Sequence, residues 1–270
     1  MYLNYEDSKY DIVLQTERIY AMSKNHPILK TIAVIGTAVL SIEAWNRMIF
    51  KKMQEKESLT CEEGDFHEWK HGTFFYKKKV GGVGHPIVIL HDLYPNQNAD
   101  NCNKLMNQLA QHRTVYSLDL LGCGRSDKPA ITYTNFLYVL QVVECIEKII
   151  GQPVHLVAKG RSATIAVAVA KYKPEYVVQL SLLDPVKEEN RKMPDQKSKL
   201  LKALIELPVF GTLLYHMAFS NSEAAHIGGA NARYLYASIV GRYTNMDVEW
   251  MLEELDIPIH VIELMRVRTD

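Results

Sequence analysis

The sequence predicts an α/β protein whose mostly parallel sheet is wound by crossover helices. Three observations predict it. Short apolar runs of strand length (Pro86–Leu90, Thr114–Leu121, Val154–Ala158, Tyr176–Leu183, Pro258–Ile262) alternate with longer stretches of helical period. Several of these runs end in small or acidic residues at a tight turn, as His91-Asp92, Gly122 and Lys159-Gly160 do. The stretch Pro153-Val-His-Leu-Val-Ala-Lys-Gly-Arg-Ser-Ala-Thr164 passes from an apolar strand, through one turn, into a helix of small residues. Such a strand–turn–helix packs closely only if the residues behind the turn are small.

Composition narrows the function classes. The 270 residues carry 31 basic and 31 acidic side chains, so no net charge favours nucleic acid or another polyanion. The four cysteines (Cys61, Cys102, Cys123, Cys145) show neither a C-x-x-C pair nor a metal-ligand spacing, and read as reduced structural thiols. No metal and no cofactor is implied.

In chain order, residues 1–26 form a polar, Tyr-rich arm. Residues 27–50 are apolar and predict a hydrophobic helix, protruding from the domain or loosely touching it. Its uncharged core is Thr31–Ile42, and Glu43 and Arg47 stand four apart, where they can pair. Lys51 and Lys52 follow it and would place that end in the cytoplasm. A membrane anchor through residues 29–50, an interfacial helix and a helix packed on the domain all remain open, so the chain is either membrane-associated facing the cytoplasm or cytoplasmic. Residues 51–65 read as a charged linker.

The domain proper spans 66–270. Phe66–Lys70 and Thr73–Lys78, joined at His71-Gly72, predict an antiparallel hairpin at a sheet edge. Asp100–His112 and Asn135–Ile150 predict helices, the second stopped by Gly151. Val154–Ala158 should lie next to Pro86–Leu90, or one strand away. From about 186 to 245 the strand–helix rhythm breaks, which predicts an inserted helical cap. A short helix over Trp250–Leu255 and a last strand over Pro258–Ile262 complete the pattern.

Three landmarks in this order resemble the α/β-hydrolase fold superfamily. His91-Asp92 stands where that family has its His-Gly oxyanion turn. Asp119-Leu-Leu-Gly-Cys-Gly-Arg-Ser-Asp-Lys-Pro129 is similar to the family's D-x-x-G-x-G-x-S-x-x-P loop. Val154–Ala166 resembles the strand and helix of the nucleophile elbow, G-x-S-x-G. The resemblance implies esterase or lipase chemistry with a Ser, an acid and a His, and oxyanion donors at the backbone N–H groups of Asp92 or Leu93 and of Arg161.

The sequence departs from that pattern at the elbow, where Gly160 takes the place of the nucleophile. The alternative nucleophile is Ser162, read through the looser motif Gly160-Arg-Ser-Ala-Thr164. It competes with a purely structural role for Ser162 at the start of the helix. Asp184 is the alternative acid, and His91 the histidine closest to the expected site. Glu263 and Asp270 only approximate the usual position of the acid. A histidine following one more strand is expected from the family and is not found in these 270 residues, so the sequence reads as a degenerate and C-terminally truncated member. Lys159 and Arg161 flank Gly160 with positive charge that could hold an anion at the helix start. Two readings follow. One is a protein with little or no catalysis that binds a small apolar or ester ligand or a partner. The other is a carboxylester hydrolase using Ser162.

Overall fold

The computed structural model describes residues 27–56, 64–186, 192–219 and 230–263. The polar arm over 1–26, Cys61 and Asp270 lie outside the described residues. The chain divides into two units, Met1–Lys51 and Lys52–Asp270.

The first unit contributes most of helix α1, Pro27–Lys56. The helix runs six residues beyond the apolar stretch, so Lys51–Lys56 continues it rather than starting a linker. Its segment Pro27–Ile49 has 23 residues and a mean hydropathy of 1.6, and it is largely exposed, with Ala33 and Asn46 buried. Several polar side chains along it bond within the helix. Thr31, Thr37 and Ser41 donate their hydroxyls to the carbonyls four residues back, at 3.1, 2.8 and 2.8 Å. Arg47 meets Glu43 at 3.1 Å, as their spacing predicts.

The second unit is built on a seven-stranded sheet with strands β1 (Asp65–Trp69), β2 (Gly72–Lys79), β3 (Ile87–Leu90), β4 (Val115–Leu118), β5 (Val154–Lys159), β6 (Val177–Leu183) and β7 (Ile259–Ile262). Their order across the sheet is β1-β2-β4-β3-β5-β6-β7. The hairpin β1–β2 and the pair β2–β4 are antiparallel, and the remaining pairs are parallel. β3 and β5 are direct neighbours, with Leu90 opposite Ala158. All four residues of β3 are buried, as a central strand covered on both faces requires.

Helices α2 (Asn103–Leu109), α3 (Asn135–Glu144) and α4 (Ser162–Tyr172) make the crossovers. Two predicted helices are less regular than their sequence period suggested. The stretch before α2 is a 3-10 turn, Ala99–Cys102, because the Asn98 side chain accepts from the amides of Asp100 and Asn101 and pins a tighter start. α3 begins at the N-cap Thr134 and passes into a π-helical turn, Cys145–Ile150, before Gly151 ends it in the left-handed region.

Between β6 and β7 lie α5 (Gln196–Glu206), α6 (Phe210–Phe219), α7 (Arg233–Val240) and the short α8 (Glu249–Glu253). α5 packs on α6 and α7 and forms the cap with them. Tyr215, Phe219 and Ala232 make a small apolar core of their own there, with Tyr94 and Tyr236 against it.

Candidate functional site

The site lies where β3 and β5 end side by side. β5 stops at Lys159, Gly160 turns the chain with φ +58°, and α4 starts two residues later. The left-handed turn between strand and helix is therefore at Gly160. Seven of the first nine residues of α4 are Ala, Val or Ile, and all nine are buried, which lets the helix lie close behind the strand.

The space above Gly160 is taken by Asp92. The Arg161 N–H donates to Asp92 Oδ1 at 2.9 Å. A Cβ built on Gly160 would overlap the Asp92 carboxyl group. The anion at the start of α4 is thus the chain's own carboxylate, favoured there by unpaired helix amides and the helix dipole. The Arg161 amide, expected from the sequence to receive an oxyanion, already has its acceptor. The carboxyl of Asp92 had no part in the sequence reading, which used this residue only for its backbone. The signal was present as a reciprocal exchange. The residue after His91 is Asp instead of Gly, and the elbow residue is Gly instead of Ser.

Ser162 is fully buried, and its Oγ donates to the His91 carbonyl at 2.5 Å. The hydroxyl ties the helix start to the end of β3. Among the described residues no hydrogen bond joins it to the imidazole of His91. That ring is also fully buried. Its Nε2 accepts from the Leu120 N–H at 3.1 Å, which requires the tautomer with the proton on Nδ1, and Nδ1 donates to the Asp92 carbonyl at 2.8 Å. Burial, the largest influence, lowers the His91 pKa, and the charge of Asp119 opposes it only in part. The ring is neutral with both nitrogens engaged, so it cannot take a proton from Ser162 in this arrangement.

Asp184 follows β6 with φ +49°, and its amide donates to Ile262 O at 2.8 Å. Among the described residues no hydrogen bond joins its carboxylate to Ser162 or His91. The sequence-level combination of Ser162, Asp184 and His91 is therefore not assembled as a proton relay. Glu263 is exposed just after β7. His155 bonds Ser181 Oγ at 2.8 Å between neighbouring strands, and burial pushes its pKa down to about 4.

Leu93 is buried beside Asp92, and the Tyr94 amide donates to the Asp92 carbonyl at 2.9 Å. The Tyr94 ring meets Phe219 of the cap at 5.7 Å between centroids, and Phe219 in turn meets Tyr236 at 5.2 Å. Burial raises the Tyr94 phenol pKa first, with Tyr236 adding to it and Arg161 working against it. Cap aromatics thus close over the turn that carries Asp92. On the other side, Arg161 Nη1 reaches Asn245 Oδ1 at 3.4 Å. The three described thiols offer no substitute nucleophile. Cys102, Cys123 and Cys145 are free and buried, and burial raises all three pKa values, that of Cys102 to about 11. Among the described residues no His, Cys, Asp and Glu cluster could hold a metal ion.

Known proteins carry the same architecture. The family profile of the alpha/beta hydrolase fold matches residues 85–211. The chain is 32% identical over 104 residues to a 2-hydroxymuconate semialdehyde hydrolase of a Pseudomonas species, covering 38% of this chain and 37% of that protein. It is 28% identical over 137 residues to a proline iminopeptidase of Heyndrickxia coagulans, covering 49% and 46%. The chain thus spans less than half the length of these curated relatives. Among solved structures, a hydrolase from Pseudomonas aeruginosa superposes with a TM-score of 0.61 at 16% identity, over 76% of this chain and 81% of that one. A thermophilic esterase from Thermogutta terrifontis superposes with a TM-score of 0.56 at 16% identity, over 74% and 79%. At such identities the likeness is one of fold.

Proposed function

The chain belongs to the α/β-hydrolase fold superfamily, and we propose that it uses this fold with little or no catalysis. One observation carries the reading: the Asp92 carboxylate sits on the Arg161 amide, over a glycine at the nucleophile turn. Acyl transfer at that point needs an oxygen nucleophile, a base to activate it and empty amides for the developing oxyanion. Gly160 supplies no oxygen, Asp92 fills an amide, and the nearest imidazole is buried and doubly bonded. We assign the part-buried rings of Tyr94 and Tyr236, which pack against the buried Phe219, to a small apolar or ester ligand.

The alternative, a carboxylester hydrolase with Ser162 as nucleophile, needs that hydroxyl to leave the His91 carbonyl and emerge from a fully buried position. Turnover of p-nitrophenyl butyrate separates the two. The native chain is expected to stay far below about 1 per second, and Ser162→Ala to change nothing in the residual rate. Turnover of that order, abolished by Ser162→Ala, would establish the serine hydrolase instead.

We further propose that Pro27–Ile49 anchors the chain in a membrane, with the Lys51 end on the cytoplasmic side. A 23-residue helix is about 35 Å long, enough for a hydrocarbon core of about 30 Å. The intrahelical bonds of Thr31, Thr37 and Ser41 and the Glu43–Arg47 pair support this, because they leave those polar groups satisfied in lipid. Carbonate washing of membranes tests it. The native chain should stay in the pellet, and a chain with Ile35→Lys and Leu40→Lys should be released.

A further inference from the structure

The two cap helices α5 and α6 are apolar on both sides. Their inward residues pack as expected, with Ile205, Tyr215 and Phe219 buried. The outward side of a surface helix is normally polar. Here Leu200 is 62% exposed, Leu204 43%, Leu207 46%, Phe210 51% and Leu214 44%. The spacing 200, 204, 207 follows one face of α5, and 210, 214 follows one face of α6. The stripes meet at the corner Leu207–Phe210, where the helices bend by 100°. Val209 stands in that corner with φ +62°, a strained conformation for a β-branched residue. The corner is therefore held by its surroundings rather than preferred locally.

Among the described residues of this segment, the charge left outside ion pairs is basic. Lys192, Lys197 and Lys199 are exposed. At 100° per residue, Lys197 and Lys199 lie on the two sides of the Leu200–Leu204 line. The segment's carboxylates are already paired, Asp195 with Arg242 at 2.8 Å and Glu206 with Lys202 of the same helix at 2.6 Å. An exposed apolar stripe bordered by lysines is the pattern of a helix lying in a lipid interface. Two copies meeting face to face would bring like charges together, whereas an anionic headgroup layer is complementary to them.

We propose that the outward face of α5 and α6 docks on an anionic membrane surface, its leucines and Phe210 entering the interface and the lysines resting on the headgroups. This contact does not depend on the loss of catalysis. It rests on the membrane reading of α1 only in that α1 would already hold the chain at a bilayer. The test is backbone hydrogen exchange of the full chain with and without vesicles of phosphatidylcholine containing phosphatidylserine. Amides over 196–219 should exchange at least about tenfold more slowly with these vesicles, and far less so with phosphatidylcholine alone. Leu200→Asp with Leu204→Asp should abolish that slowing, while β5 keeps its native protection and Pro27–Ile49 keeps its response to lipid. Lys197→Gln with Lys199→Gln should remove the preference for the anionic vesicles. Exchange over 196–219 that ignores vesicles, or that slows equally on both kinds, overturns the proposal. So does slowing with protein concentration alone, which would assign the face to a second copy. Because Pro27–Ile49 is read separately, failure of the cap contact and failure of the anchor are distinguishable.

Discussion

The loop over 119–129 and the turn over 158–162 are built alike, although the family gives one to structure and the other to chemistry. In the loop, Asp119 is fully buried, and its carboxylate accepts the amides of Ala99 and Arg125 at 2.5 and 2.7 Å. Gly124, with φ +48°, leaves room for that carboxyl group. In the turn, Asp92 accepts the Arg161 amide, and Gly160, with φ +58°, leaves room for it. Each is a left-handed glycine lying against a carboxylate that satisfies backbone N–H groups. The difference is one of degree: two amides around a buried aspartate in the loop, one around a half-buried aspartate in the turn. His91 ties them together, donating to the Asp92 carbonyl and accepting from the Leu120 amide. The turn has thus taken on the construction of a structural loop.

The comparison can be broken most severely at Asp119. Asp119→Ala removes the acceptor from two amides held in a dry loop, and should cost about 3 kcal/mol or more in urea unfolding. A loss below about 1 kcal/mol would show that the loop tolerates unpaired amides and that the parallel with the turn is empty.

Gly160→Ser comes next. It combines left-handed strain with overlap on Asp92, and should cost about 2–4 kcal/mol without creating esterase activity. Asp92→Gly should relieve the overlap, so the double-mutant cycle should show coupling of about 1 kcal/mol or more. Additive losses would mean that Asp92 does not occupy the space above residue 160. The double variant should still turn over p-nitrophenyl esters negligibly, since an oxygen without a base gains little.

Asp92→Ala should cost about 1 kcal/mol, well below the loss at Asp119, because one amide and one helix start lose their acceptor.

The remaining prediction concerns pH. His91, His155 and His216 are all held neutral by burial, each with a pKa below its ordinary value. The unfolded chain therefore binds more protons than the folded one below about pH 6.5. Stability should be full above that pH and fall as the pH drops through it, with the contribution of His155 spent near its folded value of about 4. Thermal unfolding followed from pH 8 to pH 4 checks the sign. A melting temperature that rises on acidification to pH 5 would contradict it.

What the sequence by itself determined is local. Apolar runs and turn residues marked β3, β4, β5, β6 and β7. Lys-Gly before a run of small residues placed the tight turn at Gly160, because only glycine reaches that backbone angle at little cost. The spacing of Glu43 and Arg47 predicted their ion pair. The 3-10 start before α2 and the π-turn after α3 escaped, since side-chain caps and packing decide such irregularities more than period does. The tertiary structure alone decided what fills the site. Asp92 and Arg161 stand 69 residues apart, and only the parallel pairing of β3 with β5 brings that carboxylate over Gly160. The partner of the Ser162 hydroxyl, the His91 carbonyl at the end of β3, and the side of α5 that meets solvent were decided in the same way. A hydrogen-bond partner or a burying neighbour is set by positions far along the chain, and local pattern holds no record of them.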